Sequence, residues 1–115
     1  MQPSIESILR QFDLAFEQGA YQQSLGLLQT LCRRCPEDAE AHHRLGVMEE
    51  DFGSPAAASR AYLHCLNLAP TIAKAYLYAG YCLQQQGLEH HAVELYSLGA
   101  DIDESLLYLW QSEQQ

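Results

Sequence analysis

Hydrophobic side chains recur at intervals of three and four residues along most of the chain, which is the spacing of one face of an α-helix. In the middle of the chain, Leu45, Met48 and Phe52 mark one such face. A second helical face follows it and is formed by apolar residues at the same spacing: Ala58, Ala61, Tyr62, Cys65 and Leu68. The pattern therefore predicts two consecutive amphipathic helices.

The residues between these two faces carry the signals that end one helix and begin another. Gly53 interrupts the first helix, Ser54 is a suitable side-chain cap, and Pro55 stands at the first helical position, where its missing N–H is not needed. Pro70 ends the second helix, because proline cannot continue the backbone hydrogen-bond pattern. These signals predict a helix hairpin over residues 39–72.

The same hairpin pattern occurs three times. The turn glycines Gly19, Gly53 and Gly87 stand 34 residues apart. The large side chains of the second helix in each hairpin keep the same interval: Leu28, Tyr62 and Tyr96. The chain thus divides into repeats over residues 5–38, 39–72 and 73–106. Because one hairpin cannot bury its apolar face alone, we expect the repeats to stack into a solenoid.

Small residues occupy equivalent places in the second and third repeats: Gly46, Ala58, Cys65, Gly80, Ala92 and Gly99. Small side chains at a helix–helix contact let two backbones approach closely. Large side chains such as Tyr62 and Tyr96 would then fill the space between hairpins. The alternation of small and large residues predicts a close contact within each hairpin.

This pattern resembles the tetratricopeptide repeat (TPR) family over residues 5–106. The second repeat carries the family's leucine–glycine pair, turn glycine, alanine, aromatic residue and proline: Leu45-Gly46, Gly53, Ala58, Tyr62 and Pro70. The sequence departs from the family at Phe12, where a small residue is usual, and at His42, where tryptophan is usual. The resemblance implies an all-α, right-handed superhelical solenoid of three antiparallel helix hairpins plus a terminal helix, and a protein-binding function.

The resemblance also implies that the first helix of each hairpin lines a concave groove. Carried over residue by residue, the candidates for partner binding are Leu9, Asp13, His43, Arg44, Val47, Glu50, Lys74, Leu77, Tyr78, Tyr81 and Gln84. Tyr78 and Tyr81 suit the role of binding hot spots, while the alternative interpretation is that they only cover part of the core. Some members of the family clamp the C-terminal carboxylate of chaperone tails. Here only Arg44 and Lys74 could serve such a carboxylate and Asp13 would repel it, so acidic tails are not the expected partner.

Length and charge narrow the class of partner. The 115 residues allow one domain and are too few for a two-domain enzyme. The chain has 6 Lys and Arg residues against 15 Asp and Glu residues, a formal net charge of −9. Nucleic-acid binding depends on clustered basic side chains, so DNA and RNA are not expected partners. We expect a protein or peptide partner.

The sequence was compared with the patterns of a secretory signal and of a membrane-spanning helix, and we expect neither. The N-terminal residues have no basic leader, and the longest nearly apolar stretch, Ala75–Leu83, spans about half of a bilayer's hydrocarbon thickness. We therefore predict no membrane association. The four cysteines, without an export signal beside them, are expected to be reduced thiols in the cytoplasm.

Candidate chemistry is sparse. Cys32 and Cys35 form a CxxC pattern with His42 and His43 nearby, but the pattern lacks the second ligand pair of a zinc site. The sequence has no nucleophile elbow, phosphate loop or dinucleotide fingerprint. We therefore expect no enzymatic activity, no catalytic residues, no metal and no cofactor.

A short apolar segment ends the sequence. Asp103 is a suitable N-cap, and a capping helix is predicted over about residues 104–113. Trp110 stands at the position that corresponds to His42 and Tyr76 in the preceding repeats. Three interpretations remain open: the helix contacts a second copy of the chain in a homodimer or a client protein, it packs onto the third hairpin, or it begins a fourth repeat of a longer protein.

The leading functional hypothesis is a protein–protein interaction module with a scaffold or adaptor role. One alternative is a small bacterial secretion chaperone, because Ala79, Cys82 and Leu83 before Gly87 resemble a run in type III translocator chaperones. A further alternative is an N-terminal interaction domain of a larger enzyme.

Overall fold

The computed structural model describes residues 2–105 as six α-helices, with no β-strand in that part of the chain. The helices are α1 (Ile5–Glu17), α2 (Tyr21–Arg34), α3 (Ala39–Phe52), α4 (Pro55–Leu68), α5 (Ala73–Gln85) and α6 (Glu89–Ile102). The predicted capping helix over residues 104–113 lies outside the described residues except at Glu104 and Ser105. The homodimer contact expected of that helix, and Trp110, lie outside them as well.

Helix starts follow the capping chemistry in three of the six helices. The side chains of Ser4, Asp38 and Ser54 accept hydrogen bonds from the backbone N–H three residues on, at the start of α1, α3 and α4. Pro55 occupies the first turn of α4, so both predicted start signals of this helix are confirmed. Gly19 and Gly87 adopt φ values of 75° and 80°, a left-handed conformation that glycine adopts without a Cβ clash.

Each helix packs on its neighbours along the chain, from α1 on α2 through to α5 on α6. The result is an elongated molecule of 47 × 25 × 22 Å. The first helices of the three hairpins, α1, α3 and α5, begin at Ile5, Ala39 and Ala73, at intervals of 34 residues. The predicted all-α solenoid of helix hairpins is therefore confirmed.

The contact within the second and third hairpins is a glycine facing a buried tyrosine ring. A Cβ atom added at Gly46 would lie 2.5 Å from Cε1 of Tyr62, and one added at Gly80 would lie 2.7 Å from Cε1 of Tyr96. Both rings are buried, Tyr62 completely. The predicted close approach of α3 to α4 and of α5 to α6 therefore occurs at these glycines. The two tyrosines were expected between hairpins, but each faces the glycine of its own hairpin, and Tyr62 also contacts Tyr78 of α5.

In the first hairpin the larger side chain of this contact is on the first helix and the smaller one is on the second helix. Phe12 stands where the other two hairpins have Gly46 and Gly80, and Leu28 stands where they have tyrosine. Leu28 is buried, and Phe12 packs half-buried against the same core cluster. The large side chain of the first hairpin is Phe12 of α1, and part of its ring reaches the surface between α1 and α3.

Within residues 2–105, no helix has both the length and the hydropathy that a bilayer span requires.

Candidate functional site

Side chains of α1, α3 and α5 meet along one side of the molecule, which we call the α1–α3–α5 surface. Its first part is an apolar cleft between α1 and α3 of about 230 Å³, lined by Phe12, Phe16, Arg44, Val47 and Met48. The rings of Phe12 and Phe16 stack with centroids 6.1 Å apart. Phe16 is 45% exposed and Val47 is 39% exposed, so the cleft offers apolar area to solvent. We call this feature the α1–α3 cleft.

Aromatic rings continue from the α1–α3 cleft across the hairpin turns. Phe16 packs edge-on against Tyr21 with centroids 5.4 Å apart, and Tyr21 stacks on Phe52 at 4.4 Å. These three rings, with Phe12, connect the end of α1 to the start of α2 and the end of α3. They fix the relative position of the first two hairpins at the edge of the surface.

The second part of the surface lies between α3 and α5. The buried ring of Tyr62 from α4 forms its floor and contacts His43 of α3 and Tyr78 of α5, with centroids 5.5 and 5.7 Å away. His43 and Tyr78 also meet each other at 5.9 Å. Tyr78 is 36% exposed and Tyr81 is 39% exposed. One side of each of these rings therefore stays available above a rigid base.

Two histidines are held in partly desolvated surroundings. Burial lowers the pKa of His43, and the nearby Lys74 ammonium lowers it further, while Glu40 acts in the opposite direction. Its Nε2 atom is buried and has no hydrogen-bond partner among the described residues. Burial also lowers the pKa of His42, whose ring stacks on His64 with centroids 4.0 Å apart. The neutral imidazole is therefore the favoured form at both positions at neutral pH.

These shifts predict a pH dependence of stability. Because the pKa values of His42 and His43 are lowered in the folded state, their contribution is complete above pH about 6.5 and is lost as the pH falls below it. We expect a lower melting temperature at pH 5.5 than at pH 7.5. The melt is best followed in the Glu50→Gln variant, because the raised pKa of Glu50 acts in the opposite direction. Imidazole resonances of His42 and His43 that titrate at or above pH 6.5 would contradict the prediction.

A carboxylate completes the junction of α3 and α5. Oε1 of Glu50 accepts a hydrogen bond from the thiol of Cys82 at 3.2 Å, and the same carboxylate faces the hydroxyl of Tyr62 without hydrogen-bond geometry. Partial burial raises the pKa of Glu50. Burial together with this carboxylate raises the pKa of both Cys82 and Tyr62, so thiol and phenol stay protonated.

The predicted candidates do not all face the same site. Arg44 and Val47 line the α1–α3 cleft, and His43, Tyr78 and Glu50 form the α3–α5 junction. Lys74 is exposed at the start of α5, close enough to act on the pKa of His43. Tyr81 is exposed on the same helix.

The remaining candidates have other surroundings. Leu9 is half-buried, packs on the first core cluster and lines a smaller hollow of about 200 Å³ that Arg44 also borders. Asp13 is exposed in a hollow lined by α1 residues alone. Leu77 packs against the core of the third hairpin. Gln84 accepts a hydrogen bond from the Tyr96 hydroxyl at 2.8 Å.

The sequence reasoning missed the aromatic residues of the α1–α3 cleft. The spacing of apolar residues places Phe12 and Phe16 on the apolar face of the first helix, and it marks neither Tyr21 nor Phe52 as a surface residue. One signal pointed to them: Phe12 and Phe16 are four residues apart, on one helical face, and Phe12 occupies a place where the other repeats have glycine.

The residues considered for metal or redox chemistry have structural surroundings. Cys32 is buried, and burial raises the pKa of its thiol to about 11. The Nε2 atoms of His42 and His64 lie 3.0 and 3.2 Å from the carbonyl oxygen of Pro36, which links α3 and α4 to the loop before α3. In the part of the chain that the structure describes, no three His, Cys, Asp or Glu side chains come together as metal ligands would.

The fold has counterparts among solved structures. The structure of MamA matches with a TM-score of 0.77 and 22% sequence identity, over 89% of this chain and 60% of that chain. YrrB, described as a TPR protein with an unusual peptide-binding site, matches with a TM-score of 0.82 and 16% identity, over 99% of this chain and 59% of that chain. This chain thus spans about 60% of the length of either structure. The likeness shows that the chain has a TPR fold.

The sequence of the chain has no match of its own among protein families or curated proteins.

Proposed function

We propose that the protein is an interaction module that binds a peptide or helix of a partner protein on the α1–α3–α5 surface, where the TPR fold predicts its concave groove. The observation that carries the proposal is the exposed aromatic and apolar area on this one surface, from Phe16 and Val47 to Tyr78 and Tyr81. Exposed apolar side chains gathered on one side of a molecule are typical of interaction sites, and rigid aromatic side chains dominate binding energy in them.

The rigidity of the base supports the same proposal. Tyr78 lies on the fully buried ring of Tyr62, and Phe16 is held between Phe12 and Tyr21. Side chains that are already positioned lose little conformational freedom when a ligand binds, so more of the contact energy appears as affinity. YrrB, whose fold is similar, is described as having a peptide-binding site.

The proposal includes a non-catalytic, cytoplasmic role. The thiols of Cys32 and Cys82 are buried with raised pKa values, which disfavours the nucleophilic thiolate. All four cysteines are free, as expected in a reducing compartment. The net charge of −9 disfavours nucleic acid as a partner.

The general interaction role is preferred over the secretion-chaperone alternative because of where the resembling residues lie. Ala79, Cys82 and Leu83 are all buried in the packing of α5. They serve the hairpin core and offer no surface by which a particular class of client would be selected.

Removing two exposed rings from the surface should weaken binding strongly while the fold persists. We expect the variant with Tyr78→Ala and Tyr81→Ala to bind displayed peptides at least about thirtyfold more weakly, because truncating one aromatic hot spot costs about 2 kcal/mol or more. Peptides would first be selected against the unmodified protein from a random dodecapeptide display library. Their dissociation constants would then be measured by fluorescence polarisation.

A matched control removes the same kind of exposed apolar area elsewhere. Leu63 of α4 and Leu98 of α6 are 40% and 49% exposed and belong to the second helices of their hairpins. The variant with Leu63→Ala and Leu98→Ala should bind the selected peptides normally. Circular dichroism of both variants checks that the helices remain. Equal binding by the tyrosine variant and the unmodified protein would show that the ligand lies on another surface.

A further inference from the structure

The Glu50 carboxylate has no cationic partner in the described part of the chain. The one ion pair found within residues 2–105 joins Arg44 to Glu40 at 3.5 Å. Glu50 instead accepts a hydrogen bond from a neutral thiol and faces a neutral phenol. The Glu50 residue is exposed, but its carboxylate is partly desolvated, and the neighbouring Asp51 carboxylate raises its pKa further. A partly desolvated carboxylate beside another negative charge and no cation is stabilised by an external cation more than a fully hydrated one is, because water screens it less.

The position of Glu50 places this carboxylate on the proposed binding surface. It lies on α3 three residues after Val47, which lines the α1–α3 cleft, while its hydrogen-bond partner Cys82 belongs to α5. Glu50 therefore faces the α3–α5 junction. The exposed Tyr78 belongs to α5, as Cys82 does, and its ring contacts Tyr62, whose hydroxyl faces Glu50. An aromatic ring next to a carboxylate suits a Lys or Arg side chain, which gains both an ion pair and a cation–π contact.

The spacing between the two parts of the surface defines a ligand pattern. The α1–α3 cleft lies where α3 faces α1 and the α3–α5 junction lies where α3 faces α5, so their centres are about 10 Å apart, one interhelical distance. An extended peptide advances about 3.3 Å per residue. Two side chains three positions apart in the peptide would therefore reach the two places together.

We propose that the α1–α3–α5 surface recognises an extended segment of a partner protein in which a basic side chain pairs with Glu50 and an apolar side chain three residues away fills the α1–α3 cleft. This inference rests on the proposed function and specifies its ligand. The formal net charge of −9 favours the same partner, because a basic segment is attracted to the whole protein as well as to Glu50.

The existing charges on the surface make an acidic ligand the less favourable alternative. Arg44 already pairs with Glu40, and Lys74 is a single exposed cation at the start of α5. An acidic side chain placed at the α3–α5 junction would face the Glu50 carboxylate directly. Like charges at such short distance are destabilising.

The test uses peptide selection followed by one isosteric substitution. Peptides selected by the unmodified protein from a random dodecapeptide library should be enriched in Lys or Arg three positions from a Phe, Leu, Ile or Met residue. Glu50→Gln keeps an oxygen that accepts the Cys82 hydrogen bond but removes the charge. It should weaken binding of these peptides about tenfold. Replacing the basic residue of the peptide with norleucine should weaken binding to the unmodified protein equally and make Glu50→Gln almost neutral.

Asp51→Asn is the matched control, because Asp51 is the next residue on α3, is exposed and has the same charge. It should leave the selected peptides bound within about twofold at physiological salt, since screened surface charges contribute little. Equal weakening by Asp51→Asn and Glu50→Gln would overturn the proposal and assign the preference to the overall charge.

The remaining outcomes separate this inference from the function on which it rests. Selected peptides that are apolar with no basic residue at the stated spacing, and that bind Glu50→Gln normally, would overturn the Glu50 proposal and leave the binding surface standing. Peptides that bind the variant with Tyr78→Ala and Tyr81→Ala as well as they bind the unmodified protein, or a selection that yields no peptides, would overturn the proposed function itself.

Discussion

Replacing Tyr62 with alanine is expected to lower the free energy of unfolding by about 3–5 kcal/mol, the range for removing a buried aromatic side chain. The Tyr62 ring has no solvent exposure and lies between α3, α4 and α5. Its loss would leave a cavity next to Gly46, which has no side chain to fill it. Because small domains are stable by only about 5–15 kcal/mol, this is a large share of the total. Urea denaturation followed by circular dichroism measures the change.

Tyr62→Phe is the control that separates the ring from its hydroxyl. The hydroxyl is buried and makes no hydrogen bond within the described residues, so its removal should change stability by less than about 1 kcal/mol. The corresponding change in the third hairpin, Tyr96→Phe, removes the hydrogen bond to Gln84 and should cost about 1 kcal/mol. A large loss in Tyr62→Phe would show that the hydroxyl, not the ring, holds this junction together.

Gly46→Ala should be destabilising by about 1–3 kcal/mol, although alanine is the better helix former. The added methyl group would lie 2.5 Å from the Tyr62 ring, which is enclosed and cannot turn out into solvent. Either the ring or the α3 backbone must therefore move. Thermal and urea unfolding of the variant measure the loss.

Gly26→Ala is the same substitution in a different environment. Gly26 also lies within a helix, α2, but a Cβ atom added there meets nothing within 4 Å. This variant should therefore be more stable than the unmodified protein by about 0.5–1 kcal/mol, the helix-propensity difference between glycine and alanine. If Gly26→Ala and Gly46→Ala change stability equally, the close approach of α3 to α4 is wrong.

The first hairpin suggests how the cost at Gly46 can be relieved. There Phe12 replaces the glycine and Leu28 replaces the tyrosine, so the larger side chain has moved from the second helix to the first. Gly46→Ala should accordingly cost less in a Tyr62→Leu background than in the unmodified protein. Residues in direct contact usually show coupling of about 0.5–3 kcal/mol, which a double-mutant cycle would detect.

The repeat pattern predicted the hairpins well because each hairpin depends on local chemistry. Ser54 and Pro55 begin α4 as expected, and the spacing of the apolar residues indicated which helical face is buried. Gly46 lies at a close helix contact as predicted, whereas Tyr62, which was expected between hairpins, faces Gly46 within its own hairpin. These features depend on residues within one repeat, so their spacing along the chain carries the information.

Predictions for the surface were less complete because neighbouring repeats build it together. The family resemblance placed Leu9 and Asp13 beside Val47 as candidates. Leu9 packs on the core and lines a separate hollow with Arg44, and the hollow at Asp13 is lined by α1 alone. Phe12 and Phe16 line the α1–α3 cleft instead. The position of α1 relative to α3 determines that Phe12, and not its neighbour Asp13, lines the cleft. The spacing of residues within one helix does not predict this position.

Residue spacing along the chain was enough to predict three hairpins at an interval of 34 residues and a close helix contact within each of them. It could do so because helix periodicity, capping and small-to-large complementarity act between residues close in sequence. The tertiary structure alone decided that Glu50 meets the thiol of Cys82, 32 residues away, and that no cation of the described chain neutralises it. Such contacts arise where separate helices pack, and burial there sets which charges lack a partner.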